Sequence, residues 1–301
     1  MPRWAFAGTS IPIRTSSARS RSSTTSGVQQ QLLDSLSVSV NYYRREYHDI
    51  TYTTNLAVPL TAYTLVNISD PRGNGQTLPV YNLNPANLGL VNELDTTSPN
   101  NRITYNGVDF TTNGHGRNGA TLGGGISIGR TISIQCDVED PNALRFCDQS
   151  QYGIPWAKTL KINGSYPLPA GFRVSGVLQS ANGFGPITIN ANWPNPNPDN
   201  HDVYAALIVN RSVLPTLAQS QVSVLLNPPG TSYMPRVTQL DLSVAKTIRT
   251  RRTSLTPQLD IFNALNANTV LTEVTAYGPA LGNPATILSG RLVRFQVKFN
   301  F

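Results

Sequence analysis

The chain has 301 residues, of which 13% are charged and 39% hydrophobic, with 23 Gly, 22 Pro and 2 Cys. So small a charged share, filled out by Asn, Thr, Ser, Gly and Pro, is the composition of strands and loops and argues against a helical protein. The formal charge of +7 does not make it a nucleic-acid binder: Arg3, Arg14, Arg19 and Arg21 lie in the first 26 residues, and the remainder shows no basic stripe interleaved with aromatics.

Residues 1–30 are expected to form a disordered segment rich in Ser, Thr and Arg, and 31–301 the folded part. No apolar core follows the early basic residues, so they are not read as a secretory leader, and the chain as read carries no export signal. The segment Leu36-Ser-Val-Ser-Val-Asn-Tyr-Tyr43 alternates strictly and predicts a strand that continues towards Asp49. Residues 53–101 are rich in Asn, Pro and Gly and hold no sustained period, which predicts a long loop. A strand is predicted over Ile103–Thr112, a tight turn at Gly114–Gly119 with its Asn-Gly pair, and a returning strand over Ala120–Ile128. A loop then holds both cysteines, Arg130–Ile154. Strands follow around Trp156–Tyr166 and Phe172–Gln179, joined by a Pro-Leu-Pro-Ala-Gly turn.

Residues 182–235 predict another long loop, and Arg236–Val244 alternates again. A basic turn, Arg249–Arg252, leads to a strand through Leu255, Leu259 and Ile261. A loop of ~25 residues precedes the last strand, far longer than most loops in compact domains. That strand places Val293, Phe295, Val297, Phe299 and Phe301 on one face and Arg294, Gln296, Lys298 and Asn300 on the other. The longest apolar run, around Tyr204–Val209, is far short of the ~20 residues of a membrane helix, so insertion in a membrane would have to use strands.

About eight strands result, and their connections alternate between short and long. Short turns at one end and long loops at the other are the plan of an antiparallel up-and-down transmembrane β-barrel, here a fragment of one. In that plan Phe301 lies at the periplasmic, short-turn end, and the cysteine loop lies outside the cell. Tyr42, Trp156, Tyr166, Phe172 and Phe301 fall near strand ends, where interfacial aromatic girdles form. The lumen-facing Lys, Arg, Asp, Asn and Gln suit a wide wet interior. Closing eight such strands would bury many polar groups, so an open curved sheet or a strained small barrel is expected.

Catalytic and metal chemistry finds little support. Gly125-Ile-Ser-Ile-Gly129 matches the G-x-S-x-G elbow of hydrolases, but Ser127 falls mid-strand and no helical period follows. His48, His115 and His201 lie in separate segments without metal-ligand spacing. The Asp199 and Asp202 loop lacks the fixed Gly and terminal Glu of a calcium loop. Asp109, Asp241 and Asp260 alternate with apolar neighbours and read as polar lining. No enzyme activity, cofactor or metal is expected. Cys136 and Cys147 flank a short polar segment; a disulfide is favoured over two unpaired thiols because both lie in a predicted exposed loop, where free thiols are liabilities.

Several segments together resemble the C-terminal barrel portion of TonB-dependent outer-membrane receptors, with the acidobacterial-type family that carries a carboxypeptidase-regulatory domain as the nearest in pattern. They are Leu36–Arg45, Tyr105–Asp109, Arg236–Ser243, Leu259–Asn266 and Gly290–Phe301, and the resemblance spans about Gln29 to Phe301. It implies import of a bulky nutrient, an outer-membrane location and contact with outer-membrane lipids. It also implies that Phe295, Val297, Phe299 and Phe301 form the signal read by the barrel-assembly machinery. Receptors of this kind carry a signal, a TonB box, a plug and a 22-stranded barrel. This chain is expected to supply only the C-terminal staves, to meet TonB only through an N-terminal part it lacks, and not to transport alone. The competing expectation is a secreted or surface-exposed β-rich binding or adhesion module.

Overall fold

A computed structural model describes residues 4–10, 20–183 and 205–301. The chain opens with β1 (Trp4–Ser10), β2 (Ser20–Leu33) and β3 (Leu36–His48). A first long connection carries β4 (Ile50–Asn55), β5 (Tyr63–Ser69), β6 (Thr77–Leu83) and β7 (Glu93–Ser98). Four long strands follow, β8 (Arg102–His115), β9 (Thr121–Ile134), β10 (Ala157–Pro167) and β11 (Phe172–Ala181). The next long connection holds β12 (Ala206–Val209) and β13 (Val222–Leu225). Then come β14 (Val237–Lys246), β15 (Ile248–Arg249) and β16 (Ser254–Phe262), a last connection with β17 (Val270–Glu273) and β18 (Pro284–Ile287), and β19 (Leu292–Asn300).

One 11-stranded sheet dominates, in the order β1-β2-β3-β8-β9-β10-β11-β14-β16 with β15 and β19 both on β16. Every pair in it is antiparallel, and β15 prolongs β14 past Thr247 along the same neighbour. Chain order and sheet order agree throughout, so the sheet is an all-β, up-and-down meander. It is open, with β1 and β19 as its edges, and wider than the eight strands expected.

Part of the excess comes from the N-terminal segment, where disorder was the expectation. Residues 20–33 form a 14-residue strand in register with β3 from Ser20↔His48 to Leu33↔Leu36, and β1 pairs with β2 in turn. Low hydrophobicity predicts disorder only for a chain that must bury its own apolar surface. Here β3 offers a long free edge, and the Thr, Ser and Val residues of β2 are compatible with a ladder that satisfies the backbone. Residues 1–3 and 11–19 lie outside the described residues.

The loop expectations need a second correction. The long connections are not structureless: β4 pairs with β7, β5 with β6, β12 with β13 and β17 with β18. They pack on one another into a cap whose centre is Leu78, Val80, Leu207, Val209, Leu214, Leu217, Val222, Val224 and Leu226. Among the described residues every fully buried apolar side chain lies in these connections and none on the main sheet. The protein's hydrophobic core is therefore in its loops.

Side-chain amides fasten the cap. Asn142, from the cysteine-containing loop, accepts from the Tyr81 N–H at 2.8 Å and donates to the Tyr81 carbonyl at 2.9 Å, standing in for a neighbouring strand residue. Gln219 bridges the same edge two residues on, accepting from the Leu83 N–H at 3.0 Å and donating to the Tyr81 carbonyl at 3.0 Å. Asn82 donates to Thr216 and accepts from the Ala218 N–H, both at 2.9 Å. Such bonds blunt the free edge of β6, which would otherwise be open to pairing with another chain. The Tyr277 hydroxyl donates to the Pro71 carbonyl at 2.9 Å, tying the last connection to the β5–β6 tip.

Candidate functional site

The main sheet separates two chemistries by face. Row by row, Val40, Phe110, Ile126 and Leu160 stand opposite one another across four strands, and further along Leu178 faces Leu240 and Leu259 faces Phe295. The next row, one residue over and hence on the other face, is Asn41, Asp109, Ser127 and Thr159. Lys161, Gln179 and Gln239 continue the polar side, and the Ser39 and Thr111 hydroxyls bond across the strands at 2.5 Å. Among the described residues nothing covers the apolar face: Val40, Phe110, Leu122, Ile126 and Val244 are all exposed. Exposed apolar patches on soluble monomers seldom exceed a few hundred Å², whereas this one runs from strand to strand.

β19 shows the division most sharply. Phe295, Val297 and Phe299 face Leu259, Pro257 and Leu255 of β16 and are 69, 51 and 57% exposed. Phe301 follows at 98%, its ring 6.0 Å from that of Phe299. On the opposite face Arg294 bonds Asp260 through Nε at 3.0 Å and a terminal nitrogen at 2.8 Å. Gln258 donates to the same carboxylate at 2.6 Å, so Asp260 is buried but fully partnered. Asp241 likewise accepts from Gln239 at 2.9 Å and from the Asn263 N–H at 2.8 Å. Asp241 and Asp260 are thus held by hydrogen bonds on the polar face, and Asp109 stands on the same face opposite Asn41 and Ser127.

At both ends of the apolar band aromatic rings meet cations. Lys246 Nζ lies 4.8 Å from the centre of the Phe172 ring near the short turns, and the Arg130 guanidinium lies 4.9 Å from Trp156 near the long loops. Tyr166 and Tyr42 are exposed in the same two zones. From Val293 to Phe299 the outward side chains span seven residues, roughly 20 Å of strand, near the ~25 Å apolar band of outer-membrane barrels.

Towards the long-loop end, the polar face carries a cluster that sequence reading did not single out. Gly107 and Gly129 are direct cross-strand partners, and the Tyr105 ring lies across both. A Cβ on Gly129 would sit 2.7 Å from the Tyr105 hydroxyl, so neither position has room for a side chain while the ring is there. The Arg45 guanidinium stands 5.9 Å from the Tyr105 ring and 5.7 Å from that of Tyr43. Arg21 stands 5.6 Å from Tyr47 on the same face. The available signal was a tyrosine two residues before a glycine; its significance depends on a second glycine that register alone brings alongside.

The remaining candidates are placed as follows. Cys136 and Cys147 are joined, with S–S 2.00 Å and Cα–Cα 5.1 Å, in the loop that supplies Asn142 to the cap. Ser127 sits within β9 opposite Asp109 and Thr159, in extended backbone without the sharp turn of a nucleophile elbow. His48 closes β3 with its Nε2 3.7 Å from Glu46, and His115 closes β8. His201, Asp199 and Asp202 lie outside the described residues. Among the described residues no three His, Cys, Asp or Glu side chains gather where a metal ion could be held.

Electrostatics in the cap are local. Arg72 clasps Asp70 through Nε at 2.9 Å and holds its carboxyl well below the usual carboxylate range. Burial pushes Glu139 and Asp140 upward, and burial together with those two acids pushes the Tyr63 phenol up to about 12.

No protein-family model matches the chain, and no curated protein matches it. Among solved structures it is similar to the outer membrane transporter YddB from Escherichia coli, with a TM-score of 0.47 and 12% identity. The match covers 93% of this chain and 32% of the transporter's, so the chain spans about a third of that protein's length.

Proposed function

We propose that this chain forms the C-terminal staves of an outer-membrane β-barrel transporter of the TonB-dependent receptor type, which takes up a bulky nutrient. The observation that carries the reading is the 11-stranded antiparallel sheet, which among the described residues buries no apolar side chain and yet carries a continuous apolar face. In water such a face is costly at ~25 cal/mol per Å²; against lipid it is the stabilising surface. The polar face, with Asp109, Lys161, Asp241 and the Asp260–Arg294 pair, then lines a wet interior.

In this reading the open edges β1 and β19 pair with the remaining barrel strands, and a plug closes the interior. TonB acts through that plug-bearing part. Phe295, Val297, Phe299 and Phe301 form the recognition strand for the barrel-assembly machinery, and the chain carries no enzymatic role. The loop cap faces outside the cell, where a disulfide persists.

Carbonate washing of membranes from cells that export the chain tests the reading. Retention in the outer-membrane fraction, with mobility on gels that changes on heating, is the expected result. Full release by carbonate would instead make the capped loops the working part of a surface binding module.

A further inference from the structure

The apolar face of the wall is unevenly filled. Near the short turns one row of direct cross-strand partners reads Leu36, Gly114, Leu122, Gly164, Gly176 and Leu242. Two glycines stand side by side between Leu122 and Leu242, and a third separates Leu36 from Leu122. A glycine in a strand has no side chain to cover the sheet at that point. The row is the floor of an open trough of about 590 Å³, bounded on the short-turn side by Tyr166 and Val174. A Cβ built on Gly176 would meet nothing nearer than Leu242 Cδ2 at 3.4 Å, so this stretch of floor is unfilled.

Charge stands on the short-turn side of the trough. Past Val174 the next outward pair is Phe172 and Lys246, whose Nζ lies 4.8 Å from the ring centre and forms no ion pair among the described residues. Beyond it Arg117, Arg249, Arg251 and Arg252 stand in or beside the short turns, where the described residues hold one acidic side chain, Asp34. An apolar slot with uncompensated cations along one side matches a molecule that has an anionic head and an apolar tail. Width narrows the choice further. Leu122 and Leu242 are three strand spacings apart, about 14 Å between backbones, and both side chains reduce that gap. It admits an acyl chain and is too narrow for an α-helix, roughly 10–12 Å across with its side chains. Lys246 can lay its stem along Phe172 and hold its ammonium at the level of a headgroup.

We propose that this trough is a specific site for a phospholipid whose headgroup carries net negative charge. One acyl chain lies over Gly164 and Gly176, and the phosphate meets Lys246 and the arginines of the turns. This rests on the transporter reading, because only there does the face meet lipid and the short turns lie at the periplasmic leaflet. It goes beyond general contact with lipid by assigning one slot and one headgroup charge.

The test places the full chain in phosphatidylcholine vesicles and adds spin-labelled phosphatidylglycerol or spin-labelled phosphatidylcholine. The wild type is expected to immobilise phosphatidylglycerol severalfold more strongly than phosphatidylcholine. Lys246→Gln should lower that preference at least twofold, and Lys246→Arg should keep it. Gly176→Val fills the slot and leaves every charge in place, so it should remove one immobilised lipid per chain. Carbonate-resistant retention shows that each variant still has its wall, and Lys246→Gln decides alone if Gly176→Val is not retained. Equal immobilisation of the two lipids by retained wild type, an unchanged preference in Lys246→Gln, or an unchanged lipid count in retained Gly176→Val overturns the site and leaves the transporter reading standing. Release of the wild type from vesicles by carbonate overturns the transporter reading, and the site with it.

Discussion

Gly107 shows how a single residue can hold a wall position open. Its strand partner is Gly129, and the Tyr105 ring fills the space that two Cβ atoms would need. Laying an aromatic ring over glycines restores the side-chain cover that glycine forfeits in a strand. Gly107→Ala would force the ring off both residues, and such overpacking typically costs 1–3 kcal/mol. We expect a lower unfolding midpoint in urea, together with loss of the Tyr105–Arg45 contact seen as a change in near-ultraviolet dichroism. Gly119→Ala should also destabilise, for a different reason. Its φ of 82° lies in the left-handed region, with nothing within 4 Å of a new Cβ, so the cost is backbone strain and no ring is displaced. The tight turn there was legible in sequence, because Asn-Gly carries its own backbone preference. The Tyr105 arrangement was not, because it joins residues 24 positions apart through register.

At the level of elements, alternation revealed the staves and concealed the cap. Each long strand from β3 onward was visible because one face is uniformly apolar, and period two survives in sequence. The cap strands are short, four to seven residues, and their partners are recruited across the molecule. Tyr81 meets Asn142 at a separation of 61 residues, and Leu83 meets Gln219 at 136. No local pattern encodes such a bond, since an Asn in a polar loop looks the same whether it caps an edge or faces water. Asn142→Ala would leave the Tyr81 N–H and C=O without that partner, at about 1–3 kcal/mol for buried groups. We expect faster exchange of the Tyr81 amide in the folded protein. The disulfide belongs to the same element, and replacing both Cys136 and Cys147 by Ser should cost about 3 kcal/mol of cap stability, read as earlier proteolytic cleavage within 135–156.

The cap should also respond to pH in both directions. Asp70 and Asp148 titrate below their ordinary values, through Arg72 and Ser150 respectively, so their stabilisation is present above the unfolded pKa of about 4 and is lost as pH falls through the folded values. Glu139 and Asp140 are raised by burial, so their contribution is present below the unfolded pKa and is lost as pH rises through the folded values. The two pairs oppose, and protection of the loops from protease should peak in mildly acidic buffer and decline on either side. Tyr63 adds a further loss at the alkaline end, beginning near the ordinary phenol pKa of about 10 and complete beyond about 12. A monotonic profile from about pH 2 to about pH 8 would contradict the opposition of these groups.

Across the whole molecule, two stabilising surfaces are physically separate. The cap has a dry core centred on Leu78, which is 0% exposed, while the wall has no dry core and depends on whatever solvent meets its apolar face. A defect in one should therefore leave the other largely intact, because residues without shared partners contribute nearly additively. Leu78→Ala removes a fully buried side chain at about 2–5 kcal/mol. It should open the loops to protease and weaken cap tyrosine signals while carbonate-resistant retention of the chain stays unchanged. Phe295→Arg places a charge on the exposed apolar face opposite Leu259. A charge on a lipid-facing strand costs about 2–4 kcal/mol at mid-depth, so this variant should be retained less and keep a protease-resistant cap. The paired experiment measures retention and loop protection on both variants. Opposite single-parameter losses are expected. If Leu78→Ala also released the chain from membranes, the cap would be bracing the wall, and the apolar face would not suffice to hold these strands in lipid.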